Sequence, residues 1–199
     1  VRQREDGNYE IISGHRRKKA SQLANLKEVP CIIRDLTDDE ATILMVDSNV
    51  QREKILPSER AFAYKMKLEA EKHQGKRTDL TSDQIGQKLQ SKTTREKVAE
   101  ELGESATNIQ RYIRLTELIP ELLNLVDEER IAFSPAVDLS YLTEDEQYVI
   151  LNIYDYDEKT PNVSQARHLK LLSQEGKLTA DKIEEIMGEQ KPNQVQKFK

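Results

Sequence analysis

Tyr9-Glu10-Ile11-Ile12-Ser13-Gly14-His15-Arg16-Arg17-Lys18-Lys19-Ala20 changes character at its middle. Tyr9–Ile12 is aromatic and β-branched, the composition of a strand. Gly14 interrupts it. An imidazole and four basic side chains then open a helix-like run that reaches Leu26. A strand, a glycine turn and the N-terminus of a basic helix make an anion site. Backbone N–H groups and the helix dipole face the anion, and arginine forks close on its oxygens. The same residues also read as a solvated basic turn, because short basic runs are common on surfaces. Composition leaves both readings open.

Working outward, residues 7–49 alternate in character and predict a small α/β unit. Val29–Arg34 reads as a second strand, entered through Pro30 where a strand tolerates proline. Asp38-Asp39-Glu40 supplies an acidic helix start for Glu40–Asn49. Pro57 opens another helix, expected to run to His73. The polar stretch Gln74–Asp79 then marks a domain boundary, giving an N-terminal domain over 1–75 and a helical one over 76–188. Residues 189–199 carry Pro192 and no apolar period, so they read as a tail or linker.

Beyond Thr81 every segment reads as helix, beginning with Ser82–Leu89. Two short helices around Gly103 match a helix-turn-helix over about 94–116. Thr94 precedes the first, with Lys97 where a capping box requires acid, so only a partial cap is expected. Ser105 caps the second, Ala106–Leu115. Thr107, Asn108, Gln110, Arg111 and Arg114 are expected on its outer face, with Thr94 and Ser105 at the two helix starts. Such side chains reach base edges and phosphates. An ordinary two-helix hairpin with a polar outer face fits the same pattern. Further helices are expected over Leu118–Val126 and Pro135–Leu142, after a cap at Thr143, after a cap at Ser164, and from Thr179 to Met187.

Composition bounds the rest. The 199 residues are 36% apolar and 34% charged, with few aromatics and no tryptophan, which favours helical modules over an aromatic-lined cavity. The net charge of −5 argues against polyelectrolyte binding by the whole surface, but not against a local basic face. The single Cys31 sits in an apolar run and reads as a core thiol; one cysteine excludes an intrachain disulfide framework. No apolar run approaches the roughly 20 residues needed to span a bilayer, and a cytoplasmic protein is expected.

Three features in chain order carry a resemblance. The box at Tyr9–Ala20 resembles the glycine-arginine box of the ParB partition family. Ser48-Asn49-Val50-Gln51-Arg52-Glu53-Lys54-Ile55-Leu56-Pro57-Ser58-Glu59-Arg60-Ala61 resembles that family's second box, and the helix-turn-helix follows. The resemblance covers about Gly7 to Leu142. It implies an α+β protein: a small N-terminal α/β nucleotide-binding unit, then an all-helical DNA-binding domain. It implies binding of a centromere-like palindrome in double-stranded DNA by a homodimer, a nucleoid-associated location and a partition ATPase as partner. It also implies CTP with Mg²⁺ and closure as a clamp. By position, Ser13, Gly14, His15, Arg16, Arg17 and Ala20 would surround the triphosphate, Asn49 would place the metal, and Arg52 would make a further phosphate contact.

Two residues depart from the family pattern. His15 and Ser48 each stand where the family usually has glutamate. A serine does not serve as general base at neutral pH without a partner, so binding is expected more than a weak CTPase activity. A DNA-binding regulator of a plasmid or mobile element without nucleotide switching is the alternative. A phosphotransferase or nuclease would need a nucleophile or metal cluster that Cys31 and scattered acids do not supply.

Overall fold

In the computed structural model, which describes residues 1–50, 55–79 and 93–188, the basic run does begin a helix, but the strand content is smaller than expected. The only sheet among the described residues joins β1 (Arg2–Gln3) to β2 (Tyr9–Glu10) as an antiparallel pair, Arg2 opposite Glu10. Gly7, at φ +80°, turns the chain between them. Val29–Arg34 is not a strand. Among the described residues its backbone hydrogen bonds go to Val1: the Val1 nitrogen donates to the Ile32 carbonyl, and the Arg34 N–H donates to the Val1 carbonyl, each at 2.9 Å. With no longer ladder to pair with, its apolar residues are exposed, and so is Cys31, against the core placement expected for it.

The described residues are otherwise helical: α1 (His15–Leu23), α2 (Asp38–Val50), α3 (Pro57–Asp79), α4 (Thr94–Leu102), α5 (Ala106–Arg114), α6 (Pro120–Asp127), α7 (Phe133–Leu139), α8 (Glu144–Asp157), α9 (Val163–Gln174) and α10 (Ala180–Gly188). A 3-10 turn, Leu115–Glu117, follows α5, and the helix expected from Leu118 begins at Pro120. The expected helix at Ser82–Leu89 and the tail at 189–199 lie outside the described residues.

Capping chemistry sets the boundaries. Helix α4 carries a full capping box, not the partial cap anticipated, because its N-cap is Thr93 and Glu96 stands at the third position. Moving the cap by one residue exchanges Lys97 for Glu96 at that position, which restores the reciprocal bonds. Thr143 with Glu146 forms the same box on α8, as expected. On α9 the cap is Asn162 with Gln165, not Ser164.

Packing divides the chain into two units, residues 1–55 with 63–106, and 56–62 with 107 onward; α3 contributes to both. In the first, Val46, Tyr64, Leu68 and Val98 are buried, and so is one charged side chain, Lys67. The Lys67 side chain is only 2% exposed; its ammonium lies 2.6 Å from Asp47 Oδ1 and 2.9 Å from Glu101 Oε2. Burial alone would lower its pKa, but the two carboxylates outweigh that and raise it above the ordinary 10.5. Nearby Glu71 is raised by burial and by the Glu101 charge.

The second unit has an aliphatic core centred on Leu115, Leu122, Leu139, Ile150, Leu169 and Ile183, each at most 1% exposed. The most deeply buried amide, Gln147, is fully used. Its Nε2 donates to the Leu142 and Glu117 carbonyls, and its Oε1 accepts from the Ile119 N–H at 2.9 Å. Asp127, at the end of α6, accepts from both the N–H and the hydroxyl of Ser58 in the first turn of α3. A carboxylate there satisfies an N–H left without an intrahelical partner and opposes the dipole.

Candidate nucleic-acid interface

Helix α4 ends where the sequence says it must. Gly103 adopts φ +65°, its N–H donates to the Glu100 carbonyl at 3.2 Å, and the Glu104 N–H reaches back to Ala99 at 2.9 Å. This left-handed turn suits glycine, because a Cβ there meets the following carbonyl. Two residues later the chain re-enters helix at Ala106. Val98 and Ala99 of α4, and Ile109 of α5, are buried.

Of the residues expected to face outward on α5, Thr107 does so fully and Asn108 and Gln110 in part. Thr94 is half-buried and Ser105 exposed. Arg111 and Arg114 differ from expectation: both lie against α7 and the turn after it. Arg111 donates to Ser134 Oγ at 2.8 Å, with its guanidinium 4.8 Å from the Phe133 ring. Arg114 donates to the Ser140 carbonyl and, at 3.3 Å, to its hydroxyl, and stacks 4.1 Å from the Tyr141 ring. A planar guanidinium makes such a stacked, forked contact where lysine does not. The arginines therefore fix the tilt of α5 on its platform while keeping their charge at its edge. Ser134, Ser140 and Tyr141 have no signature in the sequence; their role comes from lying across from α5.

The N-terminal candidates fall into two groups. Gly14 is the N-cap of α1 at φ +104°, with no side-chain cap, and no acid occupies the first turn. The Arg17 guanidinium folds back to within 3.7 Å of where a Cβ on Gly14 would stand. The N–H groups of His15, Arg16 and Arg17 thus begin a helix without an internal acceptor. Ser13, His15, Arg16, Arg17 and Ala20 are all exposed. Asn49 lies half-buried in the last turn of α2, and no hydrogen bond or ion pair among the described residues ties it to the Gly14 turn. Arg52 lies outside the described residues. Ser48 Oγ donates to the Met45 carbonyl at 2.9 Å, spending its proton within its own helix. Among the described residues no three His, Cys, Asp or Glu side chains cluster as a protein-only metal cage. A Mg²⁺ held mainly by phosphates does not need one.

The family model of the ParB N-terminal domain matches residues 1–50, and that of the ParB HTH domain matches residues 83–154. The chain belongs to the ParB family. Its relatives include the chromosome-partitioning protein Spo0J of Thermus thermophilus, 32% identical over 85% of this chain and 54% of that protein. A nucleoid occlusion protein of Listeria monocytogenes is 29% identical over all of this chain and 58% of its own length. The chain spans about half the length of the curated relatives it matches. Among solved structures, the C-terminally truncated chromosome-partitioning protein ParB from Caulobacter crescentus, complexed to the centromeric parS site, aligns with a TM-score of 0.48 at 24% identity. That alignment covers 94% of this chain and 79% of the other. The ParB N-terminal match contains the Gly14 turn, and the ParB HTH match contains α4, α5 and the α7 platform. Among the described residues no helix is long and apolar enough to cross a membrane.

Proposed function

We propose that this chain binds double-stranded DNA site-specifically through α5, as part of a partition or nucleoid-occlusion protein acting at the nucleoid. The observation that carries the reading is the α5 platform. Arg111 and Arg114 are clamped on α7 and its following turn, so the helix presents Thr107, Asn108 and Gln110 on a fixed support. A recognition helix needs that rigidity, because a base-edge contact worth about 1–3 kcal/mol depends on hydrogen-bond geometry. Ser105 and Thr94 stand at helix starts, where hydroxyls and N–H groups meet phosphates. The partition names of the relatives support the same reading. A centromere-like palindrome read by a homodimer, and a partition ATPase partner, are its finer parts.

The Gly14 turn fits an anion: an uncapped helix start, a glycine at φ +104° and two exposed arginines. We read it as the triphosphate site of CTP. Ser13, His15 and Ala20 line it, Gly14 gives backbone access, and Arg16 and Arg17 fork onto oxygens; from the resemblance of the second box, Asn49 would place Mg²⁺ and Arg52, outside the described residues, would make a further phosphate contact. Bound nucleotide would supply the energy of contact that favours a closed clamp. Ser48 does not act as a base in that arrangement, so binding outlasts hydrolysis. Calorimetric titration with CTP and Mg²⁺, with the other ribonucleotides as controls, tests this part: heat with CTP alone is expected, and heat with none of them overturns it. Binding to DNA without any nucleotide effect would instead identify a regulator without nucleotide switching.

A further inference from the structure

We infer that the acidic groove between α8 and α10 is the docking site of this chain's own basic tail, residues 189–199. The groove has a volume of about 490 Å³. Val149 and Ile153 of α8 and Met187 of α10 supply its apolar lining, and Tyr156, 90% exposed, stands at its rim. Ala180 lines it at the start of α10 and Gly188 at the end, so the groove runs the length of that helix.

Its walls share one sign of charge. Helix α8 carries Glu144, Asp145, Glu146, Asp155 and Asp157 and no base. Helix α10 carries Asp181, Glu184 and Glu185 against Lys182 alone. Neither helix has a basic residue in its last turn, where a cation would oppose the dipole. Of the two carboxylates that line the groove, Asp157 is answered by Lys159 at 2.6 Å, while Glu184 has no hydrogen bond or ion pair among the described residues. An unanswered negative charge beside an apolar floor suits a basic segment that also carries apolar side chains.

The chain supplies such a segment where α10 ends. Glu189-Gln190-Lys191-Pro192-Asn193-Gln194-Val195-Gln196-Lys197-Phe198-Lys199 has three lysines to one acid, with Val195 and Phe198 as its large apolar side chains. Lys191-Pro192-Asn193-Gln194 has the chemistry of a turn, proline second and asparagine third, so the chain can reverse just beyond Gly188. The nine residues of α10 make a helix about 13 Å long. The six residues 194–199 reach about 20 Å when extended, enough to return along the groove. Docked in this way, Val195 and Phe198 cover Val149, Ile153 and Met187, and a tail lysine answers Glu184. The tail's charge is then spent on the chain itself and not on the duplex.

The chain has no tryptophan, so Phe198→Trp places a single indole reporter in the tail of the full chain. Blue-shifted emission and reduced quenching by acrylamide are expected at low salt, both weakening as salt screens the charges. Adding Glu184→Lys is expected to lower the docked-to-free ratio about fivefold. Adding Val195→Ser instead is expected to lower it roughly fivefold as well, through lost apolar contact. Glu184 is exposed and Val195 lies beyond α10, so thermal unfolding of these variants should match that of Phe198→Trp alone. Solvent-like emission with full quenching in Phe198→Trp would overturn the proposal. Protection unaltered by both further substitutions would place the tail elsewhere and overturn it too. Protection lost on dilution would overturn it in favour of the tail of a second copy.

Discussion

The two packing units solve the same problem with opposite materials. The second is held by aliphatic side chains, with two buried amides, Gln147 and Gln165, both hydrogen-bonded to backbone carbonyls. The first buries an ammonium, Lys67, which ties Asp47 of α2 to Glu101 of α4. Apolar contact is non-directional and strong per unit area. A buried charge pair is directional, costly to desolvate, and contributes little net stability over an apolar replacement while punishing the loss of one partner. The second unit is thus a rigid platform, suited to hold α5 and its arginines. The first is held at one specific geometry and responds to charge.

The largest effect should come from the platform. Leu122→Ala removes a side chain with no exposure from the aliphatic core and should cost about 3–4 kcal/mol, read by urea unfolding. A cost below about 1 kcal/mol would show that this core is loosely packed. Lys67→Ala should cost about 2–3 kcal/mol, less than a wholly sealed ion pair, because Asp47 and Glu101 remain 37% and 51% exposed and regain water. Lys67→Met, which keeps the volume, should recover part of that loss; equal losses in both variants would mean that charge and not packing dominates. Thr143→Ala should cost about 1 kcal/mol by removing the cap of α8.

The smallest effects are in pH and belong to the first unit alone. The folded pKa of Lys67 lies above its unfolded value of 10.5, so its contribution is fully present below that pH and is lost as pH rises through the folded value. The unmutated chain should lose stability in that alkaline range, and Lys67→Met should lose less. Glu71 has the opposite sign. Its folded pKa is raised above 4.5, so its ionisation opposes folding as pH rises from 4.5 through the raised value. Glu71→Gln should then stabilise at neutral pH by about 0.5 kcal/mol or less, after solvent screening.

Much of the helical pattern is legible in the sequence. The helix starts at Pro57, Ala106 and Glu144 and the stop at Gly103 follow from local backbone chemistry, which the sequence states directly. The strand expected at Val29–Arg34 does not form because a strand is completed by its neighbours, and among the described residues its backbone bonds reach Val1 and no further strand. The Cys31 reading failed with it, since the apolar run was to be buried by that sheet. The clamping of Arg111 and Arg114 is not legible either: Ser134 lies 23 positions after Arg111 and Ser140 26 after Arg114, with Tyr141 next to it, and nothing in their composition marks them. The Lys67 centre was hidden for the same reason, as a lysine amid polar residues reads as solvated.

The central claim is that α5 reads a DNA sequence. Selection of bound duplexes from a random pool by this chain tests it most directly, repeated with Thr107→Ala and Asn108→Ala. The account predicts enrichment of one sequence by the unmutated chain, with each variant relaxing the preference at particular base positions by about 1–3 kcal/mol. Equal recovery of all sequences, or enrichment unaltered by both substitutions, would contradict it.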